Sequence, residues 1–226
     1  MVENTVAGDV MVKSDLPKKK RGRPKCFSEQ QALEKAMLLF WEYGYEATSI
    51  SELTQALEIT PPSLYSCFGD KASLFYRCID YYLEHEACPI VPIFEQAKTA
   101  KVAFEIYLYN NIQRLLQPNK PSGCMLVVAT VNCSEQTHDV QQKIRDKRLK
   151  EKEKLKIRLE KGLLDGDIAQ HTPIDEMTDF YVTIIQGLTL QARDGATQAQ
   201  LHKVVAHAMQ VWDLFLIPTA AVEESR

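Results

Sequence analysis

Residues 48–68 read TSISELTQALEITPPSLYSCF and predict two short helices joined by a tight turn. Apolar residues of the first segment recur at helical spacing. Ser49 and Glu52 have the spacing of a capping box, which would start this helix. Pro61 and Pro62 follow the break, where the first turn of a helix tolerates proline. The layout is that of a helix-turn-helix, whose second helix can enter a DNA major groove, and it also fits the edge of an ordinary three-helix bundle.

Outward from this segment the chain continues as helix after helix, and signals for strands are weak. Ser28 and Gln31 have capping-box spacing at the start of a first helix, which Gly44 can end. Residues 100–117 are apolar nearly all round, as in a buried helix. Later helices are predicted over 137–164, 173–192 and 197–216. The sequence therefore predicts an all-α protein.

Composition restricts the class of protein further. The chain has 226 residues, of which 45% are hydrophobic, enough for a sizeable core. It contains no uninterrupted apolar stretch long enough for a membrane span and no secretory signal, so we expect a cytoplasmic protein that does not contact the membrane. The six cysteines should then be reduced thiols, and they form no CxxC pair. We therefore predict no metal site and no cofactor.

A basic segment, KKKRGRPK, occupies residues 18–25 of a chain whose net charge is −3. Such a basic arm can bind phosphates, be merely solvated, or act as a nuclear address. Its Arg21 and Arg23 flank Gly22 in a pattern that resembles the AT-hook core, which lies in A·T-rich minor grooves. Residues 48–68 contain no Lys or Arg, so the arm would supply most of the phosphate neutralisation.

Two motifs in residues 27–75 carry a more specific signal. One is the segment YGYEATS, from Tyr43 to Ser49, and the other is Ser-Leu-Tyr at 63–65, followed by Phe68 and Lys71. Together they resemble the DNA-binding domain of the tetracycline-repressor (TetR) family of bacterial transcriptional regulators. The C-terminal residues are similar, more weakly, to one branch of the family's ligand-binding domains.

This resemblance implies roles for individual residues. Thr48 would contact phosphate through its hydroxyl and nearby backbone N–H groups, and Lys71 would pair with phosphate. Tyr65 would lie in the groove, on a phosphate or a base edge. Cys67 departs from the His or Tyr that many members carry there, which leaves the base specificity open. With the arm, the predicted DNA-binding residues are Arg21, Arg23, Lys25, Thr48, Thr60, Ser63, Tyr65, Ser66 and Lys71.

The resemblance also implies a homodimer whose subunits each hold a small-molecule inducer. Aromatic residues and methionines at helical spacing are often core instead, but buried amides such as Asn111 and Asn132 need partners that a ligand can provide. The predicted pocket residues are Phe104, Tyr107, Leu108, Asn111, Met125, Val128, Asn132 and Tyr181. The predicted dimer-interface residues, on the last two helices, are Ile184, Ile185, Leu188, Val204, Ala208 and Val211.

The predicted organisation is a disordered segment with the basic arm at 1–26, a helix-turn-helix DNA-binding domain at 27–75, and a helical ligand-binding and dimerisation domain at 76–226. We expect a ligand-responsive repressor that binds a palindromic double-stranded DNA operator. The alternative is a redox-sensing regulator whose cysteines release DNA on oxidation, because Cys26 adjoins the basic arm. No Ser-His-Asp arrangement, phosphate loop or HExxH motif is present, so we do not expect an enzyme.

Overall fold

The computed structural model describes residues 28–129, 134 and 137–218, and these residues form eleven α-helices and no strand. The all-α prediction is confirmed. Within the described residues, none of the helices has the length and apolar character needed to span a membrane. The helices are α1 (Glu29–Ala47), α2 (Ile50–Leu57), α3 (Pro61–Phe68), α4 (Lys71–His85), α5 (Ile90–Gln96), α6 (Ala100–Leu115), α7 (Met125–Val128), α8 (His138–Asp165), α9 (Ile174–Arg193), α10 (Gln198–Gln210) and α11 (Trp212–Phe215).

The start of α2 is fixed by the capping box that the sequence predicts. Ser49 Oγ accepts a hydrogen bond from the backbone N–H of Glu52 at 3.1 Å, and Ser49 N donates to Glu52 Oε2 at 2.7 Å. Two otherwise unpaired backbone donors are satisfied in this way. The helix ends at Glu58, which adopts the left-handed conformation with φ 56°.

Both ends of α3 are set by neighbouring residues, as the sequence predicts. Pro61 and Pro62 occupy its first two positions, where no intrahelical N–H is needed. Gly69 ends it with φ 81°, a backbone conformation that favours glycine. Asp70 then caps α4, since its Oδ1 accepts from Ser73 N at 2.7 Å. The turn from α2 to α3 is therefore set by local residues.

Three helices differ from their predicted form. Ser28 makes no side-chain cap, and α1 continues past Gly44, whose φ of 83° produces a kink rather than an end. Helix α6 is not buried all round, because Val102 and Ile106 lie on a face that no other helix covers. The last predicted helix is divided into α10 and α11 at Val211.

The helices form two hydrophobic cores. The N-terminal core unites α1 to α4 with α7 and the first turns of α8, and the C-terminal core contains α5, α6, α9, α10, α11 and the later part of α8. The predicted domain boundary at residue 75 falls inside α4, and buried Cys78, Ile79 and Tyr82 beyond it belong to the N-terminal core. Met125, about 50 residues beyond the predicted boundary, also belongs to the N-terminal core.

A set of hydrogen bonds joins the end of α1 to the segment around α7, and we call it the seam. Trp41 Nε1 donates to Gly123 O at 3.0 Å, and Tyr45 N donates to Ala129 O at 2.9 Å. Arg193, at the end of α9, donates to the carbonyl oxygens of Trp41, Glu42 and Ser122. Trp41 is buried, so its hydrogen bond is shielded from water. The seam therefore connects α1, α7 and α9.

Replacing Ser49 with Ala is expected to lower the free energy of unfolding by about 1 kcal/mol, because this change removes the cap of α2. Urea denaturation followed by circular dichroism measures the difference. Ser51→Ala is the matched control: Ser51 is exposed on the same helix and caps nothing, so we expect a change within about 0.5 kcal/mol. Equal destabilisation of the two variants would contradict the capping role.

Candidate nucleic-acid interface

Helix α3 has one buried face and one exposed face. Leu64 and Phe68 pack in the N-terminal core, at 0% and 4% exposure. Tyr65, with 49% of its surface exposed, and Ser66 lie on the outer side. The spacing of Leu64 and Phe68, one helical turn apart, holds α3 against α2 and α4 while leaving this outer side free.

The predicted groove-facing residues lie together. Thr60 is exposed just before α3, and its Oγ1 is 3.0 Å from Ser63 Oγ. With Tyr65 and Ser66 these side chains form a polar surface that carries hydroxyl donors and acceptors and no charge. Such groups can hydrogen-bond phosphates or base edges.

Thr48 is placed differently from a phosphate-binding side chain. It is 1% exposed, and its hydroxyl donates to Gly44 O at 2.7 Å. The one hydroxyl proton is therefore already used within α1 and cannot also be donated to a phosphate. A phosphate at this end of α2 would have to bind backbone N–H groups other than those that the capping box uses.

Lys71, at the start of α4, lies beside acidic residues. Its Nζ is 4.4 Å from the centroid of the Tyr45 ring and donates to Glu46 O at 3.4 Å. Burial lowers the pKa of Lys71, while the charges of Glu46 and Glu52 oppose that shift. These carboxylates also compete with any phosphate for the lysine charge.

The helix-turn-helix contributes little positive charge of its own. Helices α2 and α3 contain no Lys or Arg, and Glu58 between them pairs with Lys35 at 3.3 Å. The three predicted contacts of the basic arm, Arg21, Arg23 and Lys25, lie outside the described residues. Phosphate neutralisation near α3 therefore depends on residues other than those of α2 and α3.

A cavity of about 90 Å³ lies where α4, α6, α7, α8 and α9 meet. One water molecule needs roughly 10–15 Å³, so a small organic ligand fits. Tyr107 and Asn111 are the two predicted pocket residues that line it. Asn132 lies outside the described residues. The other predicted pocket residues are described and do not line the cavity: Phe104, Leu108, Met125, Val128 and Tyr181.

Sequence reasoning missed most of the cavity wall. The additional residues come from segments that carry no pocket signal, such as the end of α4 and the middle of α8. A usable signal exists only for Cys124, which directly follows the QPNKPSG loop and opens a short apolar segment. The missed residues include Tyr82, Cys88, Arg114, Cys124, Glu151 and Gln186.

The cavity wall is mainly apolar and also carries charged side chains, among them Arg114 and Glu151. Asn111 Nδ2 donates to Tyr107 Oη at 3.3 Å, while Asn111 Oδ1 is buried with no hydrogen-bond partner among the described residues. Burial raises the pKa of Tyr82 and Tyr107 well above 10, and it raises that of Cys88 to about 12. These groups are therefore protonated at neutral pH, and the amide oxygen of Asn111 remains an unused acceptor among the described residues.

The predicted dimer-interface residues divide by exposure. Leu188 and Ala208 are already buried within one protomer, so they can add little area to an interface. Val204 on α10 is exposed, and Leu190 on α9, which was not predicted, is exposed as well. The remaining three are partly buried: Ile184, Ile185 and Val211.

No group of His, Cys, Asp or Glu side chains within the described ranges could hold a metal ion. The arrangement of α2 and α3, with a buried inner face and an exposed hydroxyl-bearing outer face, is that of a helix-turn-helix DNA-binding protein. Residues 32–78 match the family model described as bacterial regulatory proteins, tetR family.

Relatives and solved structures agree with this match. The HTH-type transcriptional repressor ComR of Escherichia coli K12 is 30% identical over 200 residues, 86% of this chain and 93% of ComR. The repressor BdcR of the same strain is 31% identical, over 83% of this chain and 90% of BdcR. A cysteine mutant of the TetR family regulator CifR, complexed with 26-bp operator DNA, has a TM-score of 0.82 and 33% identity, covering 84% of this chain and 100% of CifR.

The chain therefore belongs to the TetR family, and it is a DNA-binding transcriptional regulator. The predictions of family, fold and regulatory class are confirmed, and the family is one of regulators rather than enzymes.

Replacing Arg21 and Arg23 together with Ala should weaken binding to all DNA sequences. A plot of the logarithm of the DNA association constant against the logarithm of the salt concentration should have a shallower slope. The slope should change by about 0.9 for each phosphate that the arm no longer neutralises. Fluorescence anisotropy at four salt concentrations measures the slope. The control Lys13→Ala removes a basic residue upstream of the arm and should leave the slope unchanged. An unchanged slope in the double variant would contradict the role of the arm.

Proposed function

We propose that the protein is a ligand-responsive repressor that binds a palindromic operator as a homodimer. The observation that carries the proposal is the exposed outer face of α3, anchored by Leu64 and Phe68 beneath it. Support also comes from the relatives ComR and BdcR, which are named repressors, and from CifR, which was solved on operator DNA.

A homodimer lets the two copies of α3 contact both half-sites of an operator. One α3 of eight residues covers only one half-site. A two-fold dimer presents two such helices about one DNA turn apart, so it reads an inverted repeat. Val204 and Leu190, exposed on α10 and α9, offer apolar area for the contact between subunits.

The cavity is proposed as the inducer site because its wall is continuous with the seam. Cys124, Leu126 and Val127 line the cavity, and Gly123 next to them accepts the hydrogen bond from Trp41. A ligand that displaces this wall would shift α1, against which α2 and α4 pack. Binding would thereby favour a spacing of the two α3 helices that the operator does not fit.

Three of the four described cysteines give the redox alternative no support, and the fourth, Cys67 on α3, is half-buried. Burial raises the pKa of Cys78, Cys88 and Cys124, which keeps each as a thiol, and the thiolate is the form that reacts with oxidants. Cys26 and Cys133 lie outside the described residues.

Tyr65→Ala is expected to weaken operator binding by about 5- to 150-fold, because one good contact contributes roughly 1–3 kcal/mol. Since Tyr65 is exposed, the thermal unfolding midpoint should stay unchanged. Tyr43→Ala, which removes a tyrosine that is 61% exposed on α1, is the matched control and should bind normally. Anisotropy with the DNA upstream of the gene tests both. Equal affinity of the two variants would refute the role of α3.

The double variant Tyr107→Phe, Asn111→Leu should fold with nearly the wild-type stability, because both hydrogen-bonding partners are removed together. It should bind operator normally and no longer bind the inducer. A thermal-shift screen of a small-molecule library against wild-type protein identifies stabilising compounds, which are then tested on the variant. Compounds that release wild-type protein from DNA and also release the double variant would place the inducer elsewhere.

A further inference from the structure

A second hollow, which we call the α5–α8 groove, lies between those two helices and has a volume of about 230 Å³. Its walls are largely apolar, with Ile90 and Phe94 on the inner side. Val91 and Ile157, both exposed, form its rim. The groove and the inducer cavity are two separate hollows, although Ile90 lines both.

Arg158 is the unusual residue of this groove. It is only 4% exposed, and its Nε and Nη1 have no hydrogen-bond partner in the part of the chain that the structure describes. A guanidinium cannot give up its charge as a lysine can, so a buried one requires an anion or several acceptors. One side chain that lines the groove is therefore a buried cation with two donors unused among the described residues.

Asp167 lies at ion-pair distance from Arg158 but does not satisfy its hydrogen-bond donors. Asp167 Oδ2 is 3.9 Å from Arg158 Nη2, beyond hydrogen-bonding distance. The same oxygen accepts from Ala100 N at 2.6 Å, so it is committed to the start of α6. Asp167 Oδ1 lies beside Gly162, 2.5 Å from where a Cβ would stand, and has no hydrogen-bond partner among the described residues.

Basic residues of α8 line one side of the groove. Lys154 and Lys161 line it with Arg158, one turn apart on α8, against a single acidic residue, Glu95. Both lysines hold intrahelical partners, Glu151 and Asp165, but they are solvent-exposed, and such pairs are weak. The three cations are thus matched by three carboxylates, and what sets the groove apart is the pair of Arg158 donors without partners among the described residues.

We propose that the α5–α8 groove binds a small free carboxylate that carries an apolar chain. The carboxylate would accept from Arg158 Nε and Nη1 after a small movement of the side chain, and the chain would lie on Ile90, Phe94 and Ile157. Planar paired donors suit a carboxylate, and the apolar walls suit an alkyl or aryl group. This site is separate from the proposed inducer cavity and does not depend on it.

Isothermal titration of the full-length protein with sodium octanoate tests the proposal. We expect saturable binding of one octanoate per protomer. Sodium acetate lacks the chain and 1-octanol lacks the charge, so both should bind at least about tenfold more weakly.

Three substitutions at two exposed positions locate the site without disturbing the core. Ile157→Asp places a negative charge on the exposed rim, where the wild-type side chain is 54% exposed, and should weaken octanoate binding at least about tenfold. Leu164→Asp adds the same charge to the same helix at a residue that is 88% exposed and does not line the groove, so it should bind normally. Ile157→Lys should bind octanoate at least as well as wild-type protein.

Three results would overturn the proposal. One is equal binding by Ile157→Asp and wild-type protein. Another is that Asn111→Leu abolishes octanoate binding while Ile157→Asp still binds, which would place the ligand in the inducer cavity. The third is dissociation of the dimer by Ile157→Asp but not by Leu164→Asp, seen by light scattering, which would make the groove an interface between copies.

Discussion

The buried hydrogen bond from Trp41 to Gly123 is the constraint on which the arrangement of the two cores depends. It fixes the end of α1 to the segment that begins α7, and Tyr45 and Arg193 reinforce the same junction. An indole N–H buried without a partner would cost stability, so the two cores hold one relative position. The helix-turn-helix and the cavity are thus connected through one junction.

This junction also explains why the N-terminal core extends beyond the helix-turn-helix. Met125 and Ile144 are completely buried against α1 and α4, although they are far away in sequence. A movement of α7 is therefore a movement of part of the core that supports α3. Packed cores switch between discrete arrangements rather than deforming smoothly, which suits a repressor with two states.

Features set by neighbouring residues could be predicted from the sequence. The caps at Ser49 and Asp70 and the stop at Gly69 depend on contacts within a few residues. The cavity could not be predicted in the same way. Tyr107 lines it and Phe104 does not, although both have the same periodicity on α6. That difference depends on which distant helix covers each side chain, and the engaged hydroxyl of Thr48 likewise depends on the kink at Gly44.

The central claim is that α3 gives this regulator a sequence preference for DNA. The most direct measurement is to incubate the full-length protein with sheared genomic DNA of its organism and to sequence the retained fragments. We predict enrichment of a short inverted repeat, with half-sites spaced for a two-fold dimer, that disappears when Tyr65 is replaced with Ala. Retention of fragments in proportion to their abundance, or the same enriched repeat with both proteins, would contradict it.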